Sequence, residues 1–281
     1  MISLVIAESA LEMVPPELYG HPAVRSHARR TRGGKRPHML LDNSWHYAAM
    51  KGMPDAARRG RPDLVHLALV TATSAPLYRL RRALEVYVHT ADGCMISLGP
   101  GVRIPKSYHR FAGLVEALYE TGVIEATTTR GSHTGGGSKG AGCRTDDGGG
   151  GDDSDDDDDD DGDNNTVHHR GKDGAPAQEE TTLMRLERNS TFADLVRTKK
   201  FSKVVGLSSL GALPDSPRPY EYVAQRVPDD AAIVIGGFQK GHFSDGISGH
   251  LDEVYAVDTS PLEAHVVIAR ILYEYEKKPF M

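Results

Sequence analysis

Hydrophobic and polar positions fall into two rhythms along this chain. Ile2–Ala7 is apolar at every position but Ser3, the pattern of a strand buried on both faces. Met39–Leu41 and Leu84–His89 also read as strands, and Met95–Leu98 pairs with the latter as a hairpin through Ala91-Asp92-Gly93. Residues 63–74 and 106–121 carry a helical period. In the second, Phe111, Leu114, Val115 and Leu118 fall at i, i+3, i+4 and i+7, and Gly122 stands where a C-terminal cap is needed. That helix buries one face and leaves Lys106, His109 and Arg110 near solvent.

The last third alternates differently. Lys203–Leu207, Ala231–Ile235 and Glu253–Val257 are short β-branched strands, with helix-compatible segments near 218–227 and 261–276 between and after them. Ser260 followed by Pro261 and Glu263 predicts an N-cap, a first-turn proline and a capping box for the final helix. Each strand leads into a small-residue loop: Ser208-Ser209-Leu210-Gly211, Gly236-Gly237-Phe238-Gln239-Lys240-Gly241, and Asp258-Thr259-Ser260. Strand–helix alternation predicts an α/β fold with a parallel sheet, and ligands of such sheets sit beyond the carboxyl ends of the strands.

Composition sharpens the domain layout. Residues 130–178 hold 13 acids against 5 bases, include Asp155–Asp161 without interruption, and offer almost nothing to bury. Such a stretch cannot offset its ordering entropy and is expected to be a disordered insert, either a solvated spacer or an acidic mimic that competes for a basic face. The formal charge of −6 therefore misleads. Residues 1–129 carry 16 bases against 11 acids, and residues 179–281 carry 12 against 15. The expectation is one domain in two pieces, 1–129 and 179–281, joined across the insert. Asp outnumbers Glu 24 to 15 and Arg outnumbers Lys 22 to 11, the bias of a salt-adapted archaeal protein.

Two cysteines, Cys94 and Cys143, make neither a disulfide framework nor a zinc cluster. His168-His169 and the Asp run lie in the insert without the loop geometry of a metal site, so no metal is expected. No apolar run approaches the roughly 18–20 residues of a membrane span, and Met1–Glu8 lacks a basic leader, so a cytoplasmic protein without membrane contact is expected.

Two constellations remain. Three loops at strand ends could hold a small cofactor, with Gly236 and Gly237 allowing close backbone approach, although no GxGxxG or GxxxxGK[ST] motif is present. The front half carries three basic runs: residues 25–36, Arg58-Arg59-Gly60-Arg61-Pro62-Asp63, and Arg103-Ile104-Pro105-Lys106-Ser107-Tyr108-His109-Arg110. Pro105 fits a helix's first turn, where free N–H groups would suit a phosphate. Asp63 is either a first-turn acid or a group that positions or deprotonates a bound base. Three basic runs in one half point to a nucleic-acid surface.

These blocks, in this order, resemble the Nep/Emg family of ribosome-biogenesis factors, methyltransferases of the SPOUT superfamily specific for pseudouridine N1 in small-subunit ribosomal RNA. The similarity is carried by Ala7-Glu8-Ser9-Ala10-Leu11-Glu12, His21-Pro22-Ala23-Val24, Leu40-Leu41-Asp42, Arg59–Asp63, Val86–Thr90, Arg103–Pro105, Arg110–Leu114, Ile235–Phe238 and Leu262-Glu263-Ala264. The resemblance implies a SPOUT-type α/β trefoil knot with family-specific additions, a homodimer, and S-adenosylmethionine bound by the three loops. It assigns Leu207, Gly211, Ile235, Gly236, Gly237, Gly241, Tyr255, Leu262 and Ala264 to the cofactor. It assigns Arg59, Arg61, Arg103, Lys106 and Arg110 to RNA, and Arg61 and Asp63 to the reaction. Lys106 stands where the family commonly has arginine, and Val257–Pro261 replaces a loop that often contains Tyr-Pro. The rival expectation is a non-catalytic small-subunit assembly factor that uses the same basic face on ribosomal RNA.

Overall fold

The computed structural model describes residues 1–32, 38–128 and 179–278. The expected insert at 130–178, with Cys143, His168, His169 and the Asp run, lies outside the described residues, as do Lys35 and Arg36. Met1–Ala126 and Glu180–Met281 pack as one compact unit, separate from Thr127–Glu179. Everything below concerns that unit.

The order is β1 (Ile2–Ser9), α1 (Pro22–Arg32), α2 (Asn43–Met50), α3 (Pro62–Ser74), α4 (Pro76–Arg79), β2 (Leu84–Thr90), β3 (Cys94–Leu98), α5 (Tyr108–Thr121) and β4 (Val123–Thr128). Then come β5 (Glu179–Arg188), α6 (Phe192–Lys199), β6 (Val204–Ala212), α7 (Pro219–Arg226), β7 (Ala232–Gly236), α8 (Asp245–Ser248), β8 (Glu253–Tyr255) and α9 (Ala264–Lys277). The eight strands form one sheet in the order β4-β5-β3-β2-β1-β7-β6-β8. Strand β1 runs parallel to β2 and β7, and β6 runs parallel to β7 and β8. Strand β3 is antiparallel to β2 and to β5. The chain pieces on either side of 127–179 thus build a single sheet.

The apolar runs have a physical reason in this sheet. Leu4 and Ile6 of β1 and Ile233 and Ile235 of β7 enter the core shared with α3, α5, α7 and α9. Their neighbours Val5, Ala7, Ala232 and Val234 enter a second core with Phe192, Leu195 and Ile247 from α6 and α8. Alternate residues face opposite sides of a strand, so a strand covered on both faces must be apolar throughout. A third cluster, Val24, Ala28, Met39, Leu41, Ala49 and Met50, holds α1 against α2.

Several sequence expectations need correction. Met39–Leu41 is no strand: Leu40 makes one isolated bridge to Met13, and its N–H donates to Glu116. Helix α5 starts at Tyr108 after Ser107, so Pro105 and Lys106 precede it and the first-turn role proposed for Pro105 is lost. Helix α9 starts at Ala264 with Glu263 before it, and no side chain caps it; the Ser260 N–H turns to Asp258 Oδ1 (3.0 Å). Strand β6 continues past Leu207 to Ala212, and Leu207 and Ala212 both pair with Tyr255, so Ser208–Gly211 arches out between them. The periodicity also passed over α1, α2, α6, β4 and β5. Helix α6 carried a readable start, since Thr191 and Asp194 form a reciprocal capping box. The hairpin turn and Gly122 behave as expected: Gly122 has φ +79° and its N–H reaches the Leu118 carbonyl at 2.8 Å.

Candidate active site and basic face

Strands β1, β7, β6 and β8 are parallel neighbours, so their carboxyl ends open on one edge. Glycine placement there follows from crowding within the protein. A Cβ on Gly237 would lie 2.5 Å from Ser9 Oγ and 2.8 Å from Ile6 Cγ2. The Gly237 N–H donates to the Ala7 carbonyl and the Gly237 carbonyl accepts from Ala10 N–H, both at 2.8 Å. A Cβ on Gly236 would meet the Phe238 ring at 2.7 Å. The two glycines expected to face a ligand are therefore also required by the end of β1 and by Phe238. Gly241 differs, with φ +99°, a conformation that L side chains rarely adopt.

The loop after β7 is anchored to the front half by charge. Glu8 itself sits at φ +49°, a strained backbone that aims its carboxylate at Arg58 (2.7 Å) and at the Ser244 N–H (3.2 Å). The Arg58 guanidinium lies 4.0 Å from the centre of the Phe238 ring. The sequence offers Arg58 only as one member of a basic run and gives Glu8 no site role.

These loops enclose a cavity of about 380 Å³, within the roughly 300–1,000 Å³ typical of small-ligand sites. Of the nine expected cofactor residues, Leu207, Ile235, Gly236, Gly237, Gly241, Leu262 and Ala264 line it. Gly211 and Tyr255 do not. They meet each other instead: a Cβ on Gly211 would lie 2.3 Å from the Tyr255 carbonyl carbon and 2.6 Å from Ala256 N. The wall also includes Ser208, Ser209, Val257, Asp258 and Glu263, giving apolar strand ends beside two carboxylates.

Arg61 lines the same cavity. Its N–H reaches the Ala10 carbonyl (3.2 Å), and its guanidinium is held bidentately by Asp63, Nε to Oδ1 at 2.8 Å and Nη2 to Oδ2 at 2.7 Å. Asp63 is in the first turn of α3, after Pro62. Partial burial pushes its carboxyl upward, but the Arg61 bonds and the Asp63 and Leu64 N–H groups outweigh this and hold it below the usual aspartate range. The pairing raises Arg61 in turn. Asp63 is thus an ionised, already engaged carboxylate.

The other bases diverge. Arg59 turns inward to the buried Glu12, with Nε to Oε1 at 2.8 Å and a second bond from Nη2 to Oε2. Arg103, Lys106 and Arg110 are exposed around the start of α5. The Nε2 of His66 donates to the Pro105 carbonyl (2.7 Å), and its ring stacks on Phe111 with centroids 4.6 Å apart, so α3 and the 103–110 segment are held in register. Phe111 is wholly buried, as its place in the helical period predicts. Among the described residues no group of acidic, histidine or cysteine side chains could hold a metal, and no helix is long and apolar enough to cross a membrane.

With this geometry in view, the comparisons with known proteins agree. The family profile described as EMG1/NEP1 methyltransferase matches residues 4–132. A protein of Methanothrix thermoacetophila named ribosomal RNA small subunit methyltransferase Nep1 is 30% identical over 276 residues, 98% of this chain and 96% of its own. The Staphylothermus marinus protein of the same name is 31% identical over 96% of this chain and 93% of its own. The crystal structure of Archaeoglobus fulgidus Nep1 bound to S-adenosylhomocysteine superposes with a TM-score of 0.68 at 28% identity, covering 98% of this chain and 97% of that one.

Proposed function

The chain belongs to the EMG1/NEP1 methyltransferase family, and we propose that it transfers a methyl group from S-adenosylmethionine to N1 of a pseudouridine in small-subunit ribosomal RNA, as a step in ribosome biogenesis in the cytoplasm. The observation that carries this reading is the meeting of two constellations at one place. Arg61, from the basic front half, lines the same cavity as the arch within β6 and the loops after β7 and β8. The relatives are named as ribosomal RNA methyltransferases, and the Archaeoglobus fulgidus structure holds the spent form of this methyl donor.

The residues present fit such a donor. Leu207, Ile235, Val257, Leu262 and Ala264 offer an apolar wall for a base, while Asp258 and Glu263 place negative charge beside a cationic methyl donor. When bound, S-adenosylmethionine supplies an activated methyl on a sulfonium, so the protein's task is to position N1 of the acceptor, whose proton passes to water as the new N–C bond forms. The hold of Asp63 on Arg61 beside the cavity supports a role for Arg61 in binding a phosphate or an extruded nucleotide. The engagement of Asp63 supports a positioning role over that of a proton acceptor. Arg103, Lys106 and Arg110 give the exposed charge that RNA phosphates require, whereas Arg59 supports the loop through Glu12.

The likeness to the Archaeoglobus fulgidus Nep1 structure over 98% of this chain supports carrying over the trefoil knot that the family resemblance implies. Exposed Leu210, Leu213 and Leu262 near the same loops support a homodimer that covers this edge. The deciding experiment incubates the protein with S-adenosylmethionine and matched RNA hairpins containing pseudouridine or uridine, read by mass spectrometry. A gain of one methyl on the pseudouridine hairpin alone is expected. No methyl gain together with no S-adenosylmethionine binding by calorimetry establishes the non-catalytic assembly factor instead.

A further inference from the structure

One feature outside the cavity combines exposed aromatic surface with positive charge. Trp45, on α2, is 47% exposed. Its ring stacks on His27 of α1, with centroids 4.7 Å apart and planes 14° from parallel, and the Arg30 guanidinium carbon lies 5.8 Å from its centre. His27 and Arg30 are three residues apart on one helix, so both approach the indole from the α1 side. Helix α1 contains four arginines and no acid, and Arg25, Arg29 and Arg30 are exposed.

The stack is fixed from below. The Asp42 N–H donates to Nδ1 of His46 (3.1 Å), which leaves the proton of this buried neutral ring on Nε2. That nitrogen faces Nδ1 of His27 at 3.0 Å, so His46 donates and His27 accepts. Asp42 also accepts from Ser44 N–H and from the Tyr108 hydroxyl, and Asn43 N–H reaches the Gly60 carbonyl (2.8 Å). These bonds tie the start of α2 to Gly60, the residue before Arg61, and to Tyr108 at the start of α5. An exposed, pre-oriented indole in a basic surface is what stacking of an unpaired nucleobase requires.

We propose that Trp45 is a stacking platform for an unpaired base of the RNA substrate, with α1 arginines neutralising its phosphates. This rests on the RNA-methyltransferase reading above. Trp45 is the chain's only tryptophan, so the unmodified protein reports on itself. Titration with a labelled hairpin, followed by RNA anisotropy and intrinsic fluorescence, is expected to quench the indole as RNA saturates. Trp45→Ala is expected to weaken binding roughly 5- to 20-fold. Trp45→Phe should recover most of that loss. Tyr47→Ala, which removes an exposed aromatic two residues along α2 and so on another side of the helix, should leave binding unchanged.

Indole emission that does not change at RNA saturation, or Trp45→Ala affinity within about twofold of wild type, overturns the platform. If the wild type still binds and methylates the hairpin in that case, only the platform falls. If it neither binds nor methylates RNA, the methyltransferase reading falls with it. Emission is measured on the unaltered chain, so a variant that fails to fold leaves the test intact.

Discussion

Gly211→Ala separates two reasons for a glycine in the arch of β6. If the glycine exists to let a ligand approach, alanine should impair cofactor binding and leave stability alone. The structure says otherwise. The new Cβ would lie 2.3 Å from the Tyr255 carbonyl carbon, 2.6 Å from Ala256 N and 2.7 Å from Tyr255 Cα. All three are backbone atoms, so no rotamer change relieves the clash, and the strands must part by about 1 Å to restore ordinary contact. Parting them strains the Ala256 N–H bond to the Ala212 carbonyl, now 3.0 Å, and the pairing of Leu207 and Ala212 with Tyr255. Overpacking of about 1–3 kcal/mol plus a weakened backbone hydrogen bond of about 1 kcal/mol gives a loss near 3 kcal/mol. That corresponds to a Tm lower by roughly 6–12 °C in a domain of this size. Thermal unfolding followed by circular dichroism reads it directly. A Tm within about 1 °C of wild type would refute the argument from backbone crowding.

Other outcomes follow from the same geometry. Asp63→Asn removes the charge that locks Arg61, so S-adenosylhomocysteine affinity by calorimetry should hold while hairpin methylation falls roughly tenfold or more; methylation at the wild-type rate would remove Asp63 from the reaction. Arg58→Ala leaves Glu8, only 16% exposed at its side chain, without its cation and uncovers Phe238. It should cost roughly 1–3 kcal/mol in urea unfolding and weaken S-adenosylhomocysteine binding. Burial, then His27, lowers His46 from 6.5 to about 4, with Asp42 opposing. His27 is lowered by burial as well, against Asp42 and Glu116 and with Arg30. As pH falls through 6.5 the unfolded chain takes up a proton at His46 that the folded chain refuses until near 4. Stability should therefore drop across that window by up to about 3 kcal/mol. The urea midpoint measured at several pH values checks this, and a His46→Gln variant with an unchanged pH slope would refute it.

Much of the scaffold was legible because its cause is local. A strand covered on both faces leaves an unbroken apolar run, which is why Ile2–Ala7 and Ala231–Ile235 were readable. The α5 stripe and Gly122 follow from the helical period and from a cap that needs positive φ. Helices α1 and α2 were not readable, since their buried stripe is only a few residues wide and the rest of α1 is basic. Helix α9 begins at Ala264, three residues after Pro261, and Ser260 and Pro261 belong instead to the cavity wall.

The site divides in the same way. Sequence placed glycine loops after the strands and a run of arginines before a proline, and most of the loop residues do line one cavity. It could not tell the arginines apart. Arg58, Arg59 and Arg61 sit within four positions, yet one closes on Glu8 and covers Phe238, one is bound to buried Glu12, and one faces the cavity under the hold of Asp63. Two of these partners lie 50 and 47 residues away. By itself the sequence determined which groups could carry charge or turn the chain. Which arginine lines the cavity was decided only in the tertiary structure, because an ion pair depends on distance in space and the fold sets that distance.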